Sequence, residues 1–262
     1  MKFSIIGTGF IMPRHAEAID SIGGKIIDVV NEYQGQDAWR EMIKSTEADY
    51  IVILTPNDLH IPMAIEAAKA GKIVLCEKPL GINTKQIEGV IDQQNIFTVL
   101  QLRYHPLVNK LKEELKTTNE IEMDISVHRD EKYYKGWKGQ SERSGGVLLN
   151  LGVHYFDLLL YLFGEAKEVK ILRLDEKTGE GTIKGENYFC KFRVSTDAKR
   201  DEQRRVFKVN GENTNFSSKD NLSYENLHRM VYCDLIKGIG ITPAEAIKSI
   251  RLVERLKGGN EL

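Results

Sequence analysis

Residues 2–12 read KFSIIGTGFIM, an apolar run that leads into a turn with two glycines. Gly7 and Gly9 let the backbone bend tightly and approach a phosphate at the N-terminus of the helix that follows. A Gly-x-Gly turn also occurs without any ligand, but this one follows a strand and opens a helix, which is the context that phosphate binding needs. The stretch therefore predicts a dinucleotide-binding turn, although Met12 stands where the usual fingerprint has a third glycine.

Apolar strands and helices alternate over residues 1–101. The strands are predicted at Lys2–Ile6, Lys25–Val30, Tyr50–Leu54, Lys72–Cys76 and Ile96–Leu100. The helices between them are predicted at Pro13–Ile22, Asp37–Lys44, Asp58–Ala70 and Thr84–Gln93. This alternation is typical of a parallel sheet wound on both faces, so we expect an α/β fold with a Rossmann-type dinucleotide-binding domain. Only about 18 residues separate Asn31 from the next clear strand, which predicts a trimmed sheet that lacks one strand on its adenosine side.

Strands follow one another from residue 102 onward, and this change of pattern predicts a second domain over residues 102–262. We expect an α+β domain with an open, mostly antiparallel sheet. Its strands are predicted at Ile121–Val127, Glu168–Leu174, Glu186–Val194, Arg204–Val209 and Thr214–Phe216. Its helices are predicted at His105–Lys116, Gly146–Phe163, Tyr224–Lys237 and Pro243–Lys257, with a polar loop over Arg129–Ser144.

The composition is that of an ordinary globular protein. The chain has 262 residues, of which 41% are hydrophobic and 29% charged, and its formal net charge of -1 favours neither a nucleic acid nor a membrane partner. The apolar stretch Val147–Phe163 contains polar residues and predicts a buried helix, not a membrane span. Three cysteines without metal-like spacing, and the lack of a recognisable targeting segment, predict a cytoplasmic protein with no metal site.

The end of the second strand predicts which dinucleotide binds. Asn31 can hydrogen-bond a ribose hydroxyl, and Glu32 offers a carboxylate one position later. No Lys or Arg follows before Arg40, so a 2′-phosphate has no obvious partner. The sequence therefore favours NAD over NADP as the cofactor.

Two strand ends carry side chains suited to chemistry. Thr55-Pro56-Asn57 follows one parallel strand and Glu77-Lys78-Pro79 follows the next. Ligands of such sheets bind beyond the carboxyl ends of the strands, so both segments are expected at one site. A lysine there can stabilise a developing alkoxide, and Pro79 permits a cis peptide bond that would aim the lysine. The alternative is an ordinary surface lysine in a turn.

The apolar helix predicted over Gly146–Phe163 carries three polar side chains. Asn150, His154 and Asp157 are spaced i, i+4, i+7 and are predicted to share one stripe. Burying them among Val, Leu and Phe is costly unless they are paired or used. We therefore expect His154 to transfer a proton while Asp157 orients its ring or caps a group nearby, the alternative being a structural histidine.

The motifs keep a fixed order along the chain. They are Gly7-x-Gly9, Thr55-Pro56-Asn57-x-x-His60, Cys76-Glu77-Lys78-Pro79-Leu80 and Gly145-Gly146-x-x-x-Asn150-x-Gly152-x-His154-x-x-Asp157. This order resembles the Gfo/Idh/MocA oxidoreductase family. Further segments resemble one subgroup, the UDP-N-acetylglucosaminuronate 3-dehydrogenases of bacterial surface-polysaccharide synthesis. These segments are Pro13-Arg14-His15, residues 98–106, residues 133–139 and residues 144–154.

The resemblance implies a reaction and partners. The reaction is NAD-dependent oxidation of the C3 hydroxyl of UDP-N-acetyl-D-glucosaminuronate to a 3-keto sugar nucleotide, in lipopolysaccharide sugar synthesis. His154 would take the hydroxyl proton, and Lys78 would stabilise the alkoxide. The second domain would bind the substrate and pair into a homodimer or homotetramer. In the subgroup, 2-oxoglutarate can reoxidise the bound cofactor.

The resemblance also implies a set of binding residues. Those for the cofactor are Gly7, Gly9, Phe10, Ile11, Asn31, Thr55, Pro56, Asn57, His60, Glu77 and Lys78. Those for the substrate are Lys78, Arg103, Trp137, Lys138, Asn150 and His154. Arg103 follows the last strand of the first domain and suits a carboxylate or phosphate. Trp137 and Lys138 suit the uridine, pyrophosphate or uronate, the alternative being that they pack against a neighbouring subunit.

Two other functions stay open at the level of sequence. One is a dehydrogenase or ketoreductase of this family that acts on another sugar, sugar nucleotide or cyclitol. The other is a non-catalytic protein that binds NAD or a sugar nucleotide, because the nucleotide-binding region is short. The presence of both Lys78 and His154 argues against the non-catalytic alternative.

Overall fold

The secondary structure is given for residues 1–214 and 224–258, which this computed structural model describes. The strands are β1 (Lys2–Ile6), β2 (Lys25–Val30), β3 (Tyr50–Ile53), β4 (Ile73–Cys76), β5 (Ile96–Thr98), β6 (Asn119–Ser126), β7 (Ala166–Leu174), β8 (Thr178–Gly185), β9 (Tyr188–Ser195), β10 (Arg204–Val209) and β11 (Glu212–Asn213). The helices are α1 (Met12–Ser21), α2 (Ala38–Ser45), α3 (His60–Lys69), α4 (Thr84–Glu88), α5 (Pro106–Glu113), α6 (Glu131–Lys135), α7 (Ser141–Ser144), α8 (Gly146–Asn150), α9 (Val153–Phe163), α10 (Tyr224–Leu235) and α11 (Pro243–Leu256). Short 3-10 helices cover Glu32–Gln34, Asn57–Leu59, Gln101–Tyr104 and Trp137–Gly139.

The described residues form two units. Unit 1 contains residues 1–81, 85–101 and 224–247, and unit 2 contains residues 82–84, 102–214 and 248–258. Each unit has its own sheet and its own buried core.

Unit 1 is built on a five-stranded sheet in the order β2-β1-β3-β4-β5, and every neighbouring pair is parallel. Phe3, Ile5, Ile51 and Ile53 are fully buried, which explains the unbroken apolar runs of β1 and β3. The predicted Rossmann-type sheet is therefore confirmed. β2 is an edge strand, and only a 3-10 helix and α2 lie between it and β3 along the chain. The predicted lack of one strand on the adenosine side is confirmed as well.

Residues 224–247 belong to unit 1, which differs from the predicted boundary at residue 101. Leu227, Val231 and Tyr232 of α10 are buried, and the Tyr232 ring lies 5.7 Å from the ring of Phe3 in β1. α10 packs beside α1, and the backbone N–H of Thr98 donates to the carbonyl of Ile241 at 2.9 Å. The apolar face of α10 thus completes the core of the parallel-sheet unit, although it follows the second sheet in sequence.

Unit 2 is built on a six-stranded sheet in the order β11-β10-β6-β9-β8-β7. β6 and β9 run parallel and the other neighbouring pairs are antiparallel, so the predicted open, mostly antiparallel sheet is confirmed. The sequence does not predict β8, because its three glycines weaken the strand pattern. Gly181 is needed there, since a Cβ would overlap the carbonyl oxygen of Lys170 in β7. Of the strand predicted at Thr214–Phe216, residues 215 and 216 lie outside the described ranges, and β11 ends at Asn213.

The helix predicted over Gly146–Phe163 is in fact two helices, α8 and α9, separated by Leu151 and Gly152. A Cβ on Gly152 would lie 2.5 Å from the Leu148 carbonyl oxygen and 2.7 Å from the Phe156 ring, so only glycine permits this close packing. The axis from Ser141 to Asn150 is bent by 48° from that of α9. Within the described ranges no single helix is long and apolar enough to cross a membrane, and this bent pair alone meets the length and composition required.

Two other predicted elements differ in extent. α4 ends at Glu88, just before Gly89, and does not continue to Gln93. The predicted loop Arg129–Ser144 contains α6, a 3-10 helix and α7. Asp130 caps α6, because its side chain accepts the backbone N–H of Tyr133 at 3.0 Å.

Candidate active site

The turn after β1 requires glycine at position 7. Gly7 has a φ of 103°, and its backbone N–H donates to the Val30 carbonyl at 2.8 Å. A Cβ there would lie 2.7 Å from the carbonyl oxygen of Leu54, at the end of β3. Gly7 therefore lets the turn approach the next strand closely, in a conformation that other residues rarely adopt.

Gly9 has a different surrounding. A Cβ at this position would meet no atom within 4 Å, and the neighbouring Thr8 and Phe10 are exposed. No side chain caps the N-terminus of α1, which begins three residues later. An open space at an uncapped helix N-terminus fits the pyrophosphate of a dinucleotide, because the backbone N–H groups and the helix dipole favour an anion there. The residues of this turn therefore fit NAD.

Asn31 caps the short helix that follows β2. Its Oδ1 atom accepts the backbone N–H of Tyr33 at 3.0 Å, and its own N–H donates to Gln34 Oε1 at 2.8 Å. The carbonyl oxygen of the side chain is thus engaged in the chain's own turn, so a hydrogen bond to a ribose would have to come from its amide N–H groups. The predicted ribose contact of Asn31 stays a prediction.

His60 joins the loops that follow β3 and β4. Its ring is fully buried, with Nδ1 2.7 Å from the Pro79 carbonyl oxygen and Nε2 2.9 Å from the Thr55 carbonyl oxygen. Burial lowers the pKa of His60, although both carbonyls favour its protonated form. The predicted contact of His60 with the cofactor stays a prediction, and both ring nitrogens meet backbone carbonyls of the protein. The side chain holds the Thr55 and Pro79 segments together, and Asn57 beside them is also buried.

Lys78 lies at the carboxyl end of β4, as predicted, and is half-buried. The Lys78–Pro79 peptide bond is cis, the geometry that Pro79 permits. The backbone N–H of Lys78 donates to Glu77 Oε2 at 3.1 Å. The resemblance alone predicts Glu77 as a cofactor ligand, and in the structure its carboxylate faces protein groups.

Those groups form a buried polar cluster that the sequence does not predict, here called the Glu77 cluster: His15, Glu77, His228 and Tyr232. His15 Nε2 lies 3.0 Å from Glu77 Oε1, His228 Nε2 lies 3.9 Å from the same oxygen, and Tyr232 Oη lies 2.7 Å from His15 Nδ1. The sequence predicts no metal site, yet His15, Glu77 and His228 bring three possible ligand atoms within 4.8 Å of one another. The only local signal was His15 in Pro13-Arg14-His15, because His228 lies far away in sequence.

Unit 2 holds the second predicted catalytic residue. His154 lies in the first turn of α9 and is half-buried. Asn150 is the last residue of α8, so the break at Gly152 separates it from the helix that carries His154, and the predicted common stripe is wrong. The Asn150 Nδ2 atom donates instead to the Tyr133 hydroxyl at 2.7 Å.

Asp157 pairs with Arg103 in a two-pronged ion pair, and its predicted role in orienting the ring of His154 stays a prediction. Arg103 Nε lies 2.8 Å from Oδ2 and Nη2 lies 2.7 Å from Oδ1, and both side chains are largely buried. The Arg103 guanidinium also lies 4.8 Å from the centre of the Tyr161 ring. Arg103 is therefore held rigidly, and its predicted contact with a substrate carboxylate or phosphate stays a prediction.

A pocket of about 380 Å³ opens in unit 2 around α6 and the 3-10 helix that follows it. It is lined by His128, Arg129, Asp130, Lys132, Tyr133, Gly136, Trp137 and Lys138. The Arg129 guanidinium lies 5.4 Å and the Lys138 ammonium 5.9 Å from the centre of the Tyr133 ring. Trp137 and Lys138, both predicted from the sequence, thus lie in one pocket whose surface combines aromatic rings with cations. Such a surface suits a ligand with a base and phosphates.

Both units of the chain resemble known families and solved structures. The NAD-binding Rossmann-fold domain of the Gfo/Idh/MocA oxidoreductase family matches residues 1–95, and the C-terminal alpha/beta domain of the same family matches residues 110–181. The WlbA (WbpB) dehydrogenase from Thermus thermophilus, in complex with NAD and alpha-ketoglutarate, has a TM-score of 0.86 at 27% identity and covers 98% of this chain and 94% of its own. The same enzyme in complex with NAD and UDP-GlcNAcA has a TM-score of 0.85 at 28% identity, with the same coverage.

Two curated relatives are inositol dehydrogenases. The myo-inositol 2-dehydrogenase of Thermotoga maritima is 25% identical over 189 residues, 64% of this chain. The scyllo-inositol 2-dehydrogenase (NADP(+)) IolU of Bacillus subtilis is 27% identical over 214 residues, 70% of this chain. The chain spans 56% and 65% of the lengths of these two relatives. The matches over both units, with NAD-binding in unit 1, show that the chain belongs to the Gfo/Idh/MocA oxidoreductase family.

Proposed function

We propose that the protein oxidises the C3 hydroxyl of UDP-N-acetyl-D-glucosaminuronate to the 3-keto sugar nucleotide, with NAD as the acceptor. The observation that carries this proposal is the pocket of unit 2, where Arg129, Lys132 and Lys138 surround Tyr133 and Trp137. A diphosphate needs cations, and a uracil ring needs an aromatic face, whereas a neutral cyclitol needs neither. The likeness to the Thermus thermophilus enzyme that binds NAD and UDP-GlcNAcA supports the same substrate.

The roles of the residues follow from their chemistry. His154 accepts the proton of the C3 hydroxyl, and Lys78 stabilises the negative charge that develops on the oxygen. NAD, held at the turn of Gly7 and Gly9, would supply the acceptor for the hydride from C3, so that the product is the ketone. Asn150 positions Tyr133 in the pocket through the 2.7 Å hydrogen bond to its hydroxyl. Arg103, fixed by Asp157, is suited to the uronate carboxylate.

Four further points belong to this proposal. The protein works in the cytoplasm, as homodimer or homotetramer, in the synthesis of lipopolysaccharide sugars. The bound cofactor is reoxidised by 2-oxoglutarate, in keeping with the complex of the Thermus thermophilus enzyme with NAD and alpha-ketoglutarate. Each point is independent of the assignment of Lys78 and His154.

A second candidate is a cyclitol or simple-sugar dehydrogenase. The relatives from Thermotoga maritima and Bacillus subtilis favour it, since both are inositol dehydrogenases. This enzyme would use the same lysine and histidine on a ring hydroxyl, but it would have no use for the cations and aromatic rings of the unit 2 pocket. The two candidates therefore differ in substrate and not in mechanism.

The deciding experiment incubates the purified chain with NAD and one substrate at a time. The substrates are UDP-N-acetylglucosaminuronate with and without 2-oxoglutarate, myo-inositol, scyllo-inositol and glucose 6-phosphate. We expect NADH formation and a 3-keto product only with the sugar nucleotide, measured by absorbance and mass spectrometry. Turnover of a cyclitol but not of the sugar nucleotide would establish the second candidate, and turnover of none would refute both.

A further inference from the structure

We propose that His15 and Tyr232 are positioning residues that hold Lys78 in its working place through the carboxylate of Glu77. The inference rests on the role proposed for Lys78 and deepens it. All four residues belong to unit 1. The cluster links three elements that are remote in sequence: α1, which opens at the nucleotide-binding turn, the end of β4, and α10.

The burial of Glu77 requires partners. Its side chain is 12% exposed, and those of His15 and His228 beside it are 0% and 1% exposed. A carboxylate in such a place is stable only if it is hydrogen-bonded or paired with a cation. His15 Nε2 supplies a hydrogen bond of 3.0 Å to Oε1, and His228 Nε2 lies 3.9 Å from the same oxygen.

The direction of each hydrogen bond follows from the ionisation of the groups. Burial by itself would raise the pKa of Glu77, but the hydrogen bond from His15, the nearby ring of His228 and the charge of Lys78 hold that pKa well below its ordinary value. The carboxylate therefore only accepts, and the proton of the bond must sit on His15 Nε2. Burial lowers the pKa of His15, so the ring is neutral and its Nδ1 atom accepts. Burial also raises the pKa of Tyr232, so its hydroxyl keeps its proton and donates to Nδ1.

The two carboxylate oxygens of Glu77 have different hydrogen-bond partners. Oε1 faces the histidines, and Oε2 accepts the backbone N–H of Lys78 at 3.1 Å. The hydrogen bonds thus run from Tyr232 to His15 to Glu77, and the carboxylate that they fix holds the peptide from which the Lys78 side chain departs. A shift of this carboxylate moves the start of that side chain, and small displacements of a reacting group have large effects on rate.

A metal ion is the other occupant that the cluster suggests, because His15, Glu77 and His228 can each offer a ligand atom. The 3.0 Å between His15 Nε2 and Glu77 Oε1 is the length of an ordinary hydrogen bond, in which the proton assigned to Nε2 lies between the two atoms. We therefore favour hydrogen bonds, and the metal content of the purified protein is measured as part of the test.

The test compares three variants of the full chain with the wild type. His15→Leu removes the donor to Glu77, His15→Gln keeps a donor at the position of Nε2, and Tyr232→Phe removes only the hydroxyl that donates to His15. For His15→Leu we expect kcat to fall about 10-fold or more while KM for NAD and for the sugar changes less than about threefold. We expect His15→Gln and Tyr232→Phe to stay within about fivefold of the wild-type kcat.

Three results would overturn the proposal: an equal loss of kcat in His15→Leu and His15→Gln, an unchanged kcat in His15→Leu, or a stoichiometric metal ion whose removal abolishes activity. A merely structural role would lower the melting temperature of both His15 variants without rescue of kcat by glutamine. The comparison of the two variants therefore separates positioning from folding.

A second readout needs no sugar substrate, so it separates this inference from the proposed function. The rate at which a small amine-acylating reagent modifies Lys78 is followed by peptide mass spectrometry, with exposed Lys85 of α4 as the internal control. We expect the Lys78 rate to change about threefold or more in His15→Leu but not in His15→Gln, while the Lys85 rate stays constant. If the wild type oxidises no tested sugar but this pattern holds, the proposed function fails and the positioning stands. An unchanged Lys78 rate in an active enzyme refutes the positioning alone.

Discussion

The candidate sites of the two units consist of different chemical groups. In unit 1 the site consists of glycine backbone, a cis peptide bond and a buried polar cluster in which Glu77 is 12% exposed. In unit 2 the pocket is a surface of aromatic rings and cations around Tyr133. A cofactor has one constant shape and suits the rigid backbone of unit 1, whereas we propose that the side chains of unit 2 select a charged substrate. Changes in unit 1 should therefore affect turnover, cofactor binding and folding, and changes in the unit 2 pocket should affect KM.

The largest expected effect is on the two proposed catalytic residues, one in each unit. Lys78→Ala and His154→Asn should each lower kcat about 100-fold or more, because each removes a group that handles charge or a proton in the transition state. Steady-state kinetics with the sugar nucleotide measure this, and Lys85→Ala, at an exposed site in α4, is the control. Near-normal rates in both variants would mean that the roles are wrongly assigned.

Gly7 and Gly9 of the nucleotide-binding turn should respond differently to substitution, although both belong to unit 1. Gly7→Ala should lower the free energy of unfolding by about 2 kcal/mol or more, because the residue would keep a positive φ and its Cβ would press on the Leu54 carbonyl. Gly9→Ala should leave that free energy within about 1 kcal/mol and raise the Kd for NADH about 10-fold, since its Cβ would enter only the space proposed for the pyrophosphate.

Thermal unfolding and fluorescence titration with NADH test both variants. Each glycine variant serves as the control of the other, because they lie two positions apart in one turn and differ in what surrounds the added methyl group. Unchanged NADH affinity in Gly9→Ala would place the pyrophosphate elsewhere.

The unit 2 pocket should show a smaller effect, confined to substrate affinity. Lys138→Ala or Arg129→Ala should raise KM for the UDP-sugar about 5- to 10-fold and leave kcat within about twofold, because each removes one cation from the diphosphate. Lys191→Ala, at an exposed position of β9 outside the pocket, is the control. An unchanged KM in both pocket variants would leave the pocket without a role in substrate binding and would favour a substrate without phosphate.

The smallest expected effect is a loss of stability in mild acid, which should originate in unit 1. Burial lowers the native pKa of His15 and His60 from 6.5, so below that pH the unfolded chain binds protons that the folded chain does not, and stability falls as pH decreases. The pKa of Glu77 is also lowered, from 4.5, so its contribution is present above pH 4.5 and is lost as pH falls further.

The melting temperature should therefore decrease steadily from pH 7 to about pH 4. His15→Gln should flatten the upper part of this decrease, between pH 7 and about pH 5, because one of the histidine rings with a lowered pKa is absent. Hydrogen exchange should increase in the strands of unit 1 before those of unit 2. A melting temperature that rises with acid would contradict the assigned pKa directions.

Local patterns predicted much of unit 1. The turn at Gly7 and Gly9, the parallel strands and the missing strand after β2 could all be predicted, because each depends on neighbouring residues in the chain. The position of Lys78 at a strand end follows from the same alternation. What local patterns could not show is the Glu77 cluster, since His228 meets Glu77 only after α10 has packed beside α1.

In unit 2 the features that local patterns did not predict also depend on contacts between packed residues. The spacing of Asn150, His154 and Asp157 suits one continuous helix, but the packing of Gly152 against Leu148 breaks it. Asp157 then pairs with Arg103, a partner that comes from a 3-10 helix more than fifty residues earlier. β8 was not predicted because its glycines serve close packing, Gly181 against β7 and Gly179 against Leu148, and carry no apolar pattern of their own.

The place of α10 has a consequence for how the polypeptide matures on the ribosome. Unit 1 contains residues from both ends of the described chain, so the first hundred or so residues emerge without the helix that covers Phe3 and supplies Tyr232. That early segment exposes apolar surface until the whole second sheet has been synthesised and residues 224–247 follow. Closure of a loop this long is slow compared with local folding. We therefore expect the nascent protein to need a chaperone during synthesis. A polypeptide that ends at residue 101 should aggregate.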